Sequence, residues 1–116
     1  MKKEYRLLKN EDFQKVISRK KSFAVKSFIL YYDDNDLDHT RVGISVSTKF
    51  GGAVQRNKAK RQTRAIVQQS FDVNTTKDVV IIIRNGFKAK TYQENASELI
   101  SLLKRVKEGE KRHETT

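Results

Sequence analysis

Between His39 and Phe71 the chain has no acidic residue, yet the same window holds Arg41, Lys49, Arg56, Lys58, Lys60, Arg61 and Arg64. Seven cations with no carboxylate among them suit one kind of chemistry, attraction to an array of phosphates, which is additive and needs no pocket. On a helix turning about 100° per residue, Arg56, Asn57, Lys60, Arg61 and Arg64 fall within an arc of about 140°. Ala59, Ile66 and Ser70 lie outside that arc, on a face suited to packing. Like charges at these spacings destabilise an isolated helix, and a neighbouring phosphate backbone removes that cost.

Residues that could break bonds are scarce. There is no cysteine, which excludes disulfides, thiol catalysts and thiolate zinc sites. The two histidines, His39 in a turn and His113 in the C-terminal tail, have no reason to converge into a paired-imidazole nuclease. Asp34-Asn35-Asp36-Leu37-Asp38 resembles the start of a calcium loop, but the sixth position is His39 where Gly is needed and the twelfth is Ser45 where Glu is needed. It reads as a solvated hairpin turn. Gly51-Gly52 is followed by no Gly-Lys-Ser/Thr, so it serves as a flexible entry to the basic helix and not as a phosphate loop. No catalytic residue and no protein metal site is assigned.

The elements that must position these residues follow from periodicity. Asn10 is a good N-cap before Glu11 and Asp12, with Phe13, Val16 and Ile17 at helical spacing, and Lys20-Lys21 close this short amphipathic helix. Phe23 to Tyr32 reads as extended, with Phe28, Leu30 and Tyr32 on one face and Ile29 and Tyr31 on the other. Arg41 to Ser47 alternates again through Val42, Ile44 and Val46, and the two segments predict an antiparallel hairpin. A helix follows from about Val54 to Ser70, and then the β-branched run Val79 to Ile83, a central strand buried on both faces. Thr91-Tyr92-Gln93-Glu94 is a capping box opening a helix to about Lys107, with Ala96, Leu99, Ile100, Leu103 and Val106 as its stripe.

The order is α, β, β, α, β, α, predicting one domain over 1–108 and a polar tail over 109–116. The 116 residues carry 25 Lys and Arg against 14 Asp and Glu, a formal charge of +11, and are 36% apolar, enough for one modest core. The longest apolar runs are about five residues where a membrane span needs roughly 20. No apolar stretch follows the N-terminal Met1-Lys2-Lys3-Glu4-Tyr5-Arg6, so a cytoplasmic protein with a polyanionic partner and no membrane attachment is expected.

Two motifs carry a family resemblance. Arg41-Val42-Gly43-Ile44-Ser45-Val46-Ser47-Thr48-Lys49, followed by Ala53-Val54-Gln55-Arg56-Asn57-Lys58-Ala59-Lys60-Arg61-Gln62-Thr63-Arg64, resembles the signature of the protein subunit of bacterial ribonuclease P. That signature is a strand ending in Gly-x-Ser-Val-Ser-x-Lys and then an Arg-Asn-Arg-type helix. Leu7-Leu8-Lys9-Asn10-Glu11-Asp12-Phe13 resembles the family's opening, and the element order matches over residues 5 to about 107. Lys58 stands where the motif's second Arg is usual, Ala59 where a larger apolar residue is common, and Ile17 where some members carry Phe.

The resemblance implies a single-domain α/β (α+β) sandwich, with helices on a central sheet of about four strands. It also implies a left-handed β-α-β crossover, against the usual rule. It implies that Arg56, Asn57, Lys58, Lys60, Arg61 and Arg64 bind a large catalytic RNA. The single-stranded 5′ leader of precursor tRNA would lie in a cleft at Phe13, Ile17 and Tyr31, with Lys49 and Arg84 at its rim. Aromatic platforms flanked by cations are how single strands are held, which agrees with that placement. The bond cut would be the phosphodiester at the mature 5′ end, with chemistry and magnesium belonging mainly to the RNA and no obligate protein partner. From the residues alone, a ribosomal or ribosome-assembly RNA-binding protein is the alternative.

Overall fold

The run Val79 to Ile83 sits in the strand Lys77–Ile83, in which every residue except Ile82 is buried. A strand covered on both faces can satisfy its backbone only by pairing along both edges, and this one does so. In the computed structural model, which describes residues 2–70, 72 and 74–115 and side chains as far as Lys107, the strands are β1 (Ser22–Ala24), β2 (Phe28–Asp34), β3 (Arg41–Val46) and β4 (Lys77–Ile83). Their order in the sheet is β1-β2-β4-β3. β2 runs antiparallel to β4, from Phe28 opposite Ile83 to Asp34 opposite Lys77, and β3 runs parallel to it, from Arg41 opposite Asp78 to Val46 opposite Ile83.

The expected hairpin between β2 and β3 is therefore not formed. β4 is inserted between them, because its apolar run needs a partner on each side. The hairpin that does form joins β1 to β2, with Phe23 opposite Leu30, which splits the stretch read as one extended segment. The turn after β2 instead crosses the entry to β4. The Asn35 backbone N–H donates to the Thr76 carbonyl at 3.1 Å, and its side-chain amide donates to the His39 carbonyl at 3.1 Å and to Asp78 Oδ1 at 2.9 Å. Two of the turn's carboxylates are engaged separately, Asp34 with Lys77 and Asp38 with His39.

Three helices complete the two layers around the sheet. α1 (Asn10–Ser18) lies on one face; α2 (Ala53–Ser70) and α3 (Tyr92–Thr115) pack together on the other. α1 starts one residue earlier than a cap at Asn10 would allow. Lys9 is its extended cap residue, and the Lys9 carbonyl accepts from the Asp12 and Phe13 amides at 3.1 and 3.2 Å. The cause lies just upstream, where the Leu7 amide bonds the Val42 carbonyl at 2.9 Å, so the chain leaves the sheet edge at a fixed point and must turn at once to lay Val16 on Val80. Lys20, at φ 59°, ends the helix in the left-handed region.

The Thr91 capping box forms as the sequence indicates, with Thr91 N–H donating to Glu94 Oε1 at 2.9 Å and Glu94 N–H donating to Thr91 Oγ1 at 3.1 Å. α3 runs past its expected end near Lys107 to Thr115, since Glu108, Glu110, Lys111 and Arg112 favour helix and one glycine, Gly109, costs only about 1 kcal/mol. The side chains of that tail, His113 among them, lie outside the described residues.

The larger core joins Phe28, Leu30 and Ile81 of the sheet to Ile66 and Val67 of α2 and Leu99 and Leu102 of α3. The smaller core is Leu7, Val16 and Val80, beneath α1. Nine residues of helix span only about 14 Å, so α1 cannot cover the face it lies on. No helix among the described residues is long and apolar enough to cross a membrane.

Candidate nucleic-acid interface

α2 buries Ala59, Thr63, Ile66 and Val67, with the Thr63 hydroxyl donating back to the Ala59 carbonyl at 2.8 Å. This stripe turns the opposite side outward. Arg56, Lys60 and Arg64 are half-buried along its edge, and Asn57, Lys58 and Arg61 are exposed. Among the described residues none of these five cations makes an ion pair. A ridge of cations without counter-charges is a standing attraction for phosphate.

Arg41 departs from that pattern. Its Nε and Nη2 donate to the two oxygens of Asp78 at 2.9 and 2.7 Å, and its Nη1 lies 3.6 Å from Asp12. The hydrogen bonds to Asp78 hold the guanidinium still more firmly protonated. Six of the seven window cations remain available; the fold brings Arg41 an acid from 37 residues downstream, which local sequence does not reveal.

The face that α1 half covers is built from register. Tyr31, Val80 and Gly43 stand in one row across β2, β4 and β3, and Ile29, Ile82 and Ser45 form the next row on the same face. Phe13 and Ile17 descend from α1 onto this surface, and with Tyr31 and Ile82 they form a half-buried apolar group around Leu7, Val16 and Val80. The structure thus gathers Phe13, Ile17 and Tyr31 into one apolar cluster. Ile82 was missed, because an unbroken β-branched run gives no alternation to mark its one less-buried member.

Lys49 and Arg84 follow the carboxyl ends of β3 and β4, where Val46 and Ile83 are opposite each other. Both are exposed. Lys49 lies in a 3-10 turn (Thr48–Phe50) held by its N–H donating to Ser47 Oγ at 3.1 Å. Arg84 is partly engaged: its Nη1 donates to the Val25 carbonyl at 2.9 Å and its backbone N–H to the Ser27 carbonyl at 2.8 Å. These bonds tie the end of β4 to the β1–β2 turn and leave other guanidinium donors outward.

Cluster and ridge meet along the open edge of β3. A cavity of about 210 Å³ there is lined by Phe13, Gly43 and Ile44 together with Arg6, Lys60 and Arg64. Arg6, not marked by sequence as a site residue, is placed by its bridge to Val42, a contact between residues 36 apart in sequence. An apolar, partly aromatic floor bordered by cations that have no ion-pair partner among the described residues can stack bases while holding their phosphates.

Comparison with known proteins identifies the family. The ribonuclease P family model matches residues 1–107. The ribonuclease P protein component of Mycoplasma mycoides is 41% identical over 109 residues, 92% of this chain and all of the relative, and that of Streptococcus agalactiae is 41% identical over 104 residues, 90% of this chain and 95% of the relative. Among solved structures, a mutant Staphylococcus aureus RNase P protein superposes with a TM-score of 0.83 at 39% identity, over 90% of each chain. The Thermotoga maritima RNase P protein gives 0.76 at 32%, over 86% of this chain and 96% of that one. These relatives set aside the ribosomal alternative. The chain belongs to the ribonuclease P protein family, as the protein subunit of that tRNA-processing endoribonuclease and a partner of its RNA.

Proposed function

We propose that the protein grips the 5′ leader of precursor tRNA across the face at Phe13, Ile17 and Tyr31, while the ridge from Arg56 to Arg64 lies on the backbone of the RNA subunit. Bases of the leader stack on Phe13 and Tyr31, with Ile17 supplying an apolar contact, and Lys49 and Arg84 hold phosphates where the strand leaves the sheet. The RNA subunit performs the cleavage with magnesium, and the protein contributes binding and position; the complex works in the cytoplasm, with no membrane and no obligate protein partner. The observation that carries this reading is the shared cavity, which places Phe13 of the apolar cluster beside Lys60 and Arg64 of the ridge. A strand could pass from one to the other without leaving the protein.

The test compares two substrates. Phe13→Ala and Tyr31→Ala should each weaken binding of leader-bearing precursor tRNA to the assembled complex by about 1 to 3 kcal/mol, the worth of one stacked base, and leave mature tRNA nearly unaffected. Equal losses on both substrates, in variants that fold and assemble, would remove the leader from this face.

A further inference from the structure

On the flank of α2 away from Arg56 and Lys60 lies a second groove, of about 380 Å³, between α2, the 3-10 turn Asn85–Ala89 and the start of α3. Its walls include Lys58 and Gln62 of α2, Phe50, Lys88, Lys90 and Tyr92. Among the described residues no carboxylate lines it. Lys90 is paired with Glu98 at 2.7 Å, whereas among the described residues Lys58 and Lys88 have no acidic partner. Lys88 Nζ sits 4.6 Å from the centroid of the Phe50 ring, and Tyr92 is 37% exposed. Like the cavity on the α1 side of the sheet, the groove sets cations beside aromatic surface, here with a side-chain amide added.

We propose that this groove is a second contact for a strand of the RNA subunit, so that α2 is engaged by that RNA along both flanks. The inference rests on α2 lying against the RNA subunit, and two observations favour RNA as the occupant. Lys58 stands three residues from Arg61, so the groove continues the exposed basic surface of the ridge around the helix without an intervening acid. The walls offer point charges and an amide for phosphate and sugar, and an aromatic edge for a base.

Because the chain has no cysteine, a single introduced cysteine is a unique attachment point. Lys88→Cys and Gln62→Cys, each carrying a photoactivated aryl azide, would be assembled with the RNA subunit and radiolabelled precursor tRNA, with Ser101→Cys, on an exposed position of α3, as the control. The first two should crosslink to the RNA subunit and the control should not. Crosslinks to precursor tRNA alone, or none from either groove position in assembled complexes, would overturn the proposal. In parallel, Lys88→Gln should weaken RNA-subunit binding several-fold and lower its log-log salt slope by about 0.7 to 0.9, with Lys88→Arg restoring both. A Lys88→Gln variant with unchanged affinity and slope would also overturn it, including the case in which the groove serves an acidic protein. Arg61→Gln, run alongside, separates the two ideas: if it loses slope while Lys88→Gln does not, the ridge stands and the groove falls.

Discussion

Gly43 and Phe13 are in such close approach that a Cβ built on Gly43 would lie 2.4 Å from Phe13 Cζ. The Phe13 ring rests on β3 because residue 43 has no side chain. A Cβ there would lift the ring from the sheet and change the mouth of the cavity that both residues line.

Gly43→Ala should therefore act on the leader cleft while sparing the ridge. It should cut the preference for precursor over mature tRNA by about the amount that Phe13→Ala does, with RNA-subunit affinity within twofold of the parent. Competition binding of the two tRNAs checks this, and an unchanged preference would show that Phe13 needs no fixed seat on the sheet.

Arg41 and Arg61 are both arginines of the acid-free window, but they should behave oppositely. Arg61→Ala should leave stability nearly unchanged and lower the salt slope of RNA binding by about 0.7 to 0.9. Arg41→Ala strips a two-point charged contact from the nearly buried Asp78 and should cost roughly 1.5 to 3 kcal/mol of stability with little effect on that slope. Denaturant titration and salt-dependent binding on both variants would expose a reversed assignment.

Lys20 ends α1 at φ 59°, where a side chain is penalised and glycine is not. Lys20→Gly should raise stability by up to about 1 kcal/mol, read as a higher denaturation midpoint with an unchanged m-value. A lower midpoint would mean that the side chain of Lys20 itself holds the end of the helix.

His39 presents Nδ1 to Asp38 Oδ1 at 2.8 Å and Nε2 to the Glu4 carbonyl at 2.9 Å, with the Tyr5 ring edge-on at 5.4 Å. Both partners accept, so only the imidazolium satisfies both. The hydrogen bond to Asp38 raises the histidine above its ordinary value of 6.5. A raised folded-state value means that the added stability is complete below about pH 6.5 and is lost as pH climbs through the folded value. A proton NMR titration should place His39 above 6.5, and exchange of the Tyr5 and Arg6 amides should quicken over the same interval. Titration below 6.5 would contradict the arrangement.

What the sequence disclosed depended on whether the signal was local. The β-branched run of β4 announced burial on both faces, the alternation around Tyr31 put it opposite Leu30, and the spacing of Ala59 and Ile66 oriented the ridge outward. Strand partnership was not local: nothing in Arg41 to Ser47 says that it will lie parallel to a strand beginning at Lys77. For the same reason Asp78 neutralises Arg41, and Arg6 joins Lys60 and Arg64, without any mark nearby in the chain. The handedness of the β3–α2–β4 connection was an expectation from family resemblance alone.

In the function proposed above, this protein supplies grip and position while its RNA partner supplies the chemistry. Cleavage of precursor tRNA by the protein alone, the RNA subunit alone and the two together tests it most directly, across a range of magnesium. The expected result is no cleavage by the protein alone, cleavage by the RNA alone at high magnesium, and efficient cleavage by the pair at low magnesium, where the basic ridge relieves phosphate repulsion that magnesium otherwise screens. Asp34→Asn, Asp36→Asn and Asp38→Asn combined should leave the single-turnover rate of the pair nearly unchanged. Cleavage by the purified protein alone, or loss of the chemical step in that folded, RNA-bound triple variant, would contradict it.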